Sequence, residues 1–302
     1  MFQSATALII PFAVLYLVLG IMEFANIRWR HAIRKRNRRS PLTKNMLRTP
    51  GESLRKEIEE LEVDHRAFLA LIFALPFILL SFTLLQILFL DPQNPVWHWV
   101  VYIISVLAST VWLSKRIDAK KEKIRRFTLG MEGEVATGEE LNQLMLSGCH
   151  VFHDIPFEYG NIDHVVVSRS GVFSVETKAL SKENESGSHK AIIDFTKNII
   201  RFSDRNWLLP LDQLEMNCRW LSQYLTKSTG IEVNAESMLA LPGYYIEKRV
   251  GKGRVFVFNP TRPEKFFVNS RVVFAPEQIR RIAHQVEQLC RNVEPSFKKI
   301  ES

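Results

Sequence analysis

Three stretches without a charged side chain constrain this chain more than anything else in it. Residues 5–22, ATALIIPFAVLYLVLGIM, run for eighteen such positions and residues 67–90 for twenty-four, and residues 92–114 also contain no Asp, Glu, Lys or Arg. A helix rises about 1.5 Å per residue, so about 20 apolar residues cross a hydrocarbon layer roughly 30 Å thick. All three stretches reach or approach that length. Packed into the first 114 residues, they leave no polar faces from which to build a soluble domain. Three transmembrane helices are therefore expected. A signal peptide carries its positive charge before the apolar stretch. Here Met1–Ser4 have none and NIRWRHAIRKRNRR follows, so the first stretch reads as an uncleaved anchor.

Charge then sets an expected orientation. Residues 28–66 hold twelve Lys and Arg against six acids, DPQNP at 91–95 holds no Lys or Arg, and SKRIDAKKEKIRR at 114–126 holds seven. Basic loops stay cytoplasmic. The expected layout is a first transmembrane helix over 1–27 with its N-terminus outside, a basic cytoplasmic loop over 28–66, and a transmembrane hairpin over 67–114. A basic juxtamembrane linker over 115–126 and a cytoplasmic domain over 127–302 complete it. Within the loop, GESLRKEIEELEVDHR reads either as a helix that Ser53 could cap or as a charged linker.

The formal net charge of +8 belongs to the same region. Residues 1–126 hold 19 basic and 10 acidic side chains, whereas residues 127–302 hold 21 and 22. The excess suits orientation and anionic lipid and is no argument for nucleic acid. Cys149, Cys218 and Cys290 are far apart with no C-x-x-C pair, which fits reduced, buried thiols rather than a disulfide framework or a zinc site.

Beyond Arg126 the periodicity is that of an α/β domain. GMEGEVATGEELNQLMLSG is helical and ends at Gly148, and HVFHDIPF is a strand. AIIDF and NIIRF form a hairpin, and LDQLEMNCRWLSQYLTKSTG is a helix with Leu211, Leu214, Cys218, Leu221 and Leu225 on one face. SMLALPGYYI and RVFVFN are strands, VGKGR is a hairpin turn, and APEQIRRIAHQVEQLC is a final helix.

NIDHVVVSRSGVFSVETK, residues 161–178, is a hairpin that carries Asp163, Glu176 and Lys178 where valines would be expected. With Arg169 and Ser170 at the turn, Ser168 pairs with Gly171 and Asp163 falls opposite Glu176, their side-chain bases about 5 Å apart. A turn shifted by one residue pairs Asp163 with Lys178 and still leaves all three on one face. Facing carboxylates repel, and a hard divalent cation reverses the sign of that interaction. Such a hairpin is a metal platform for phosphodiester chemistry. Its plain alternative is a salt-bridged surface.

The order GMEGE, then IDHVVV, then GVFSVETK resembles the nuclease-related domain, NERD, over about 130–245. That family is placed in the PD-(D/E)xK nuclease superfamily. The resemblance implies a restriction-endonuclease-like α/β fold and a site of Glu134, Asp163, Glu176 and Lys178. Asp163, Glu176 and Glu134 would be ligands for Mg²⁺ or Mn²⁺, and Lys178 would position the attacking water. Gln213 matches a glutamine that steers substrate, although Leu209-Pro210 stands where the family often has Asn-Pro. Lys248, Arg249, Lys252 and Arg254 are the densest basic cluster of the domain and read either as a solvated turn or as contacts to nucleic-acid phosphates, DNA being the expected substrate. His150, His153 and Asp154 form a weaker ligand-like group. His164 alternates away from Asp163 and is expected to be packed. The expectation is a membrane-anchored, metal-dependent nuclease at the cytoplasmic face of a bacterial inner membrane. A silent nuclease-fold scaffold is the alternative.

Overall fold

The computed structural model describes residues 41–89, 95–183, 189–268 and 271–295. The expected first membrane span lies outside them, as does most of the 91–95 link. The chain divides into two compact units, one of Met1–Thr43, Glu60–Ile124 and Ser296–Ser302, the other of Lys44–Glu59 and Arg125–Pro295.

In the first unit the described residues belong to two long helices, α1 (Glu52–Phe89) and α2 (Pro95–Asn142), each of which continues into the second unit. By length and composition both could cross a membrane. The core helix of a soluble protein can match that composition but is mostly buried. Here only 11% and 6% of the most apolar windows are buried, and Phe73, Phe77, Trp97, Ile104 and Leu107 face outward. Pro76 sits inside α1 without ending it, and Lys120 Nζ meets Asp64 at 2.6 Å between the helices. The basic segment 115–126 is an uninterrupted part of α2 rather than a linker, and residues 52–66 take the helical one of their two readings, running into the apolar stretch as the start of α1.

The second unit is built on two sheets. After a 3-10 turn (Gln143–Ser147) closed by left-handed Gly148 come β1 (His150–Phe157), β2 (Gly160–Ser168), β3 (Gly171–Thr177), β4 (Lys190–Asp194), β5 (Ile199–Arg201) and β6 (Asn206–Leu208). Helix α3 (Leu211–Thr229), β7 (Glu236–Ala240), β8 (Tyr245–Val250), β9 (Phe256–Phe258), the short α4 (Glu264–Phe267) and α5 (Pro276–Cys290) follow. One sheet has the order β1-β2-β3-β7-β9, the other β6-β5-β4-β8. β1, β2 and β3 are antiparallel neighbours, and β7 then joins β3 in parallel through the α3 crossover.

Because both faces of the larger sheet are covered, β2 carries the unbroken run Val165-Val166-Val167 and β3 is buried along its whole length, rather than alternating buried with exposed residues. Val165, Val167 and Val172 pack with Leu221 and Leu225 of α3 and Ile282 and Val286 of α5. Val166, Phe173 and Val175 pack on the other face with Leu141, Leu144 and Phe267. Burying each such side chain contributes about 1.5–3 kcal/mol. A third cluster joins Ile193 and Ile200 of the small sheet to Leu239, Leu241 and Val257.

The expected strand SMLALPGYYI is two strands in different sheets, parted at Pro242-Gly243, and VGKGR is no hairpin turn. It links β8 of one sheet to β9 of the other. All three cysteines are free.

Lys44–Glu59 precedes the apolar helices in sequence yet packs with the α/β unit. Asp154, fully buried and left-handed at φ 51, is the reason. Its carboxylate accepts from Arg48 Nη1 at 2.5 Å, from the Ser53 amide at 3.0 Å and hydroxyl at 2.9 Å, and from Asn161 Nδ2 at 2.5 Å. Ser53 is therefore a donor to Asp154 rather than the cap of α1. Removing one partner of a buried ion pair typically costs about 3–5 kcal/mol, because the other charge stays buried. Arg48→Ala is accordingly expected to lower the denaturation midpoint of the full chain sharply, whereas the exposed Arg280→Ala should barely move it.

Candidate active site

Of the two turn registers that the sequence allows, the one with Arg169 and Ser170 at the turn forms. Ser168 pairs with Gly171 and the β2–β3 ladder runs in that register to His164↔Val175, one step short of Asp163 and Glu176. Strand alternation then puts Asp163 and Glu176 on the same face as Val165, Val167 and Val172, the face that α3 covers. Both carboxylates are buried, at 6% and 2% exposure.

Each is held by specific donors. Asp163 Oδ2 accepts from the Thr177 amide at 2.7 Å. Glu176 Oε1 accepts from Lys178 Nζ and from Gln213 Nε2, both at 2.7 Å, and Glu176 Oε2 accepts from Asn217 Nδ2 at 3.2 Å. Gln213 and Asn217 are one helical turn apart on α3, so a single face of that helix delivers two amides to one carboxylate.

Glu134 comes from α2. The glycine before it is required by contact. A Cβ at Gly133 would collide with the side chain of Ala179, the residue after Lys178. The close crossing brings Glu134 to the end of β3, where it is 7% exposed and takes a backbone hydrogen bond from Gly51. Its Oε2 has no partner.

Electrostatics shows the convergence. Burial, with the charges of Asp154 and Glu176 behind it, pushes the Glu134 carboxyl up to about 8. Burial and then Glu176 and Glu134 raise Asp163 well above the usual carboxylate range, against the pull of the Thr177 amide and Lys178. Burial alone would lower the Lys178 ammonium, but the charge and hydrogen bond of Glu176, helped by Asp163 and Glu134, leave its pKa raised. Asp163 thus feels both other acids, Glu134 feels Glu176, and Lys178 is the counter-charge common to Asp163 and Glu134.

Among the described residues no group of three or more His, Cys, Asp or Glu side chains stands at metal-ligand spacing. The donor chemistry nevertheless suits a hard cation, namely two buried carboxylates on one face and a third with an unpartnered oxygen. His150, His153 and Asp154 do not form a ligand group. His150 is exposed and Asp154 is fully engaged. His153 belongs to a buried hydrogen-bond chain with His164, their Nδ1 atoms 2.9 Å apart.

That chain has one consistent proton assignment. The Asn142 carbonyl oxygen can only accept, so His153 Nε2–H donates to it at 3.1 Å and His153 Nδ1 accepts from His164 Nδ1–H. His164 Nε2 then accepts from the Thr177 hydroxyl at 3.2 Å. His164 is therefore packed and bonded behind the site, on the face opposite Asp163, as its alternation implies.

The basic cluster lies elsewhere. Lys248 and Arg249 are on β8, and Lys252 and Arg254 on the following loop, all exposed. Arg249 is committed to the Val257 carbonyl at 2.7 Å and to the Phe256 ring. Among the described residues no hydrogen bond or ion pair links these four to the carboxylates.

Residues 129–242 match the family model of the nuclease-related domain, NERD. The match contains Glu134, Asp163, Glu176, Lys178, Gln213 and Asn217, and ends before β8 and its basic residues. No curated protein and no solved structure matches the chain. The mixed sheets that follow the helices fit a nuclease-like α/β domain, and the NERD segment carries its candidate site. Asn217 was missed in sequence, although an asparagine between Leu214 and Leu221 on a buried helix face is a visible signal. The pairing of Arg48 with Asp154 was missed because the apolar helices lie between them in sequence.

The histidine chain gives a pH dependence. Burial depresses His153 from 6.5 to about 4, and burial with His153 depresses His164 well below its ordinary value. Both rings bind protons more weakly folded than unfolded. Their contribution is therefore full above about pH 6.5 and is lost as pH falls from there towards 4. The thermal midpoint should decline over that window, and His153→Gln should flatten the decline.

Proposed function

We propose that this protein is a membrane-anchored, metal-dependent nuclease that hydrolyses phosphodiester bonds, with DNA as its substrate. The observation that carries the reading is the convergence of Glu134, Asp163, Glu176, Lys178 and Gln213, which come from a helix, two strands and a second helix, at the end of β3. Buried like charges are costly unless something of opposite sign offsets them. Lys178 supplies one positive charge against three carboxyl groups. A divalent cation, Mg²⁺ or Mn²⁺, would supply the rest and would stabilise charge on the scissile phosphate.

Asp163 and Glu176 would hold that cation, with the backbone carbonyl of Val175 or Thr177 as a further oxygen ligand and Glu134 acting directly or through water. Lys178, with a raised pKa, keeps its proton. It orients the attacking water and offsets charge on the phosphate rather than acting as a base. Gln213 holds Glu176 in place and reaches the same face as the substrate.

Charge distribution supports a phosphate-binding surface on the smaller sheet. Residues 189–208 and 245–254 hold eight basic and three acidic side chains, and the rest of 127–302 holds 13 and 19. The register sets Ile192 beside both Arg201 and Lys248, and Arg205 binds the Ser181 carbonyl at 2.6 Å, three residues from Lys178. Lys248, with Lys252 and Arg254 on the following loop, would extend a basic face that begins beside the site, whereas Arg249 alternates to the other face of β8 and is held by Val257. Contacts of this kind hold a nucleic acid without reading it. The apolar helices would place the domain at the cytoplasmic face of a bacterial inner membrane, with the basic juxtamembrane segments on anionic lipid.

The full chain in detergent, with plasmid, linear and single-stranded DNA, tests the reading. Cleavage in Mg²⁺ or Mn²⁺ should be blocked by EDTA and should fall at least about 100-fold in Glu176→Ala and Lys178→Ala. Wild-type cleavage that persists in both variants would contradict the proposed site. A folded chain inert on every substrate would favour the scaffold alternative.

A further inference from the structure

Asn217 is 1% exposed, and its two side-chain polar atoms have opposite fates. Nδ2 donates to Glu176 Oε2, while Oδ1 is buried with no partner. The orientation of the amide is fixed by chemistry, because a carboxylate oxygen accepts and so must face the nitrogen. Leaving a buried carbonyl oxygen unpaired is costly, because its bond to water is lost and not replaced. Four buried side-chain polar atoms among the described residues are orphaned, and two of them, Asn217 Oδ1 and Glu134 Oε2, belong to residues that interact with Glu176.

The neighbours on α3 sharpen the point. Leu214, Leu221 and Leu225 continue the same buried stripe and are apolar. A leucine at 217 would suit that stripe and bring no orphaned atom of its own, although it would leave Glu176 Oε2 without its amide donor. Glu176 Oε1 already has two donors, Lys178 and Gln213, whereas Oε2 is held by the Asn217 amide, which brings an unpaired oxygen of its own with it.

We infer that Asn217 is a positioning residue of the cation site. Its Nδ2 fixes the second oxygen of Glu176, and its Oδ1 accepts a hydrogen from a water carried in with the cation. This rests on the metal-dependent reading above. Mg²⁺ and Mn²⁺ sites keep several waters, and those waters need acceptors around the ligands. Asn217 and Gln213 then act as a pair that holds one carboxylate by both oxygens from successive turns of one helix. Gln213 sits on the oxygen shared with Lys178, and Asn217 on the other.

The test is Mn²⁺ binding to the full chain in detergent, followed by electron paramagnetic resonance of the free ion, for wild type and Asn217→Leu. Loss of such an outer partner typically weakens metal affinity 10–100-fold, and that loss is expected here. Without metal, Asn217→Leu exchanges one orphaned oxygen for another, Asn217 Oδ1 for Glu176 Oε2, so its thermal midpoint is expected to stay close to that of wild type. Asn217→Ser loses the same amide and does not overpack, so it answers the question if the leucine variant fails to fold. Unchanged Mn²⁺ affinity in a folded variant would overturn the role of Asn217 and leave the metal site standing. No saturable binding to wild type would overturn both.

Discussion

Asp163 and Glu176 are two buried acids on one face of a sheet, and the arrangement of the rest of the second unit follows from keeping them there. Isolated buried carboxylates repel one another and lose their protons with difficulty. The fold answers with a fixed set of opposing groups. The Thr177 amide holds Asp163, while Lys178, Gln213 and Asn217 hold Glu176. These donors come from the strand itself and from the crossover helix that the β3–β7 parallel pairing requires. The crossover that completes the sheet is also the element that closes the site.

A second constraint is less visible and equally physical. Asp154 is buried beside the same hairpin and takes its counter-charge from Arg48, a residue 106 positions away. Gly51, in the same segment, donates to Glu134. The piece of chain that supports the acids from behind is therefore separated from the NERD segment by both apolar helices. A fragment beginning near residue 120 would keep every acid of the site and lose Arg48, Gly51 and Ser53.

Local pattern made much of this legible. The period of two put Asp163 on the face of Glu176 in both turn registers that the sequence allows, and the Arg169-Ser170 turn is the one that forms. Gly148 and Gly230 ended their helical stretches as expected, both in left-handed conformations. What local pattern missed depends on pairing over distance. VGKGR looks like a hairpin turn, but its flanking strands belong to different sheets, a choice made by β4 and β7 rather than by the turn. Asn217 was hidden because the apolar face of α3 was traced through Cys218. Arg48 was assigned to a loop because nothing local tells a basic loop residue from the partner of a distant buried acid.

The most direct test of the central claim, that the acids are arranged for a cation rather than for the fold, is thermal unfolding of the full chain and Asp163→Asn with and without Mg²⁺. Asparagine keeps an acceptor for the Thr177 amide and removes the charge. If the claim holds, Asp163→Asn is at least as stable as wild type without the ion, and only wild type gains stability when Mg²⁺ is added. If Asp163→Asn loses the same stability in both conditions and Mg²⁺ moves neither protein, the carboxylates are structural and the account fails.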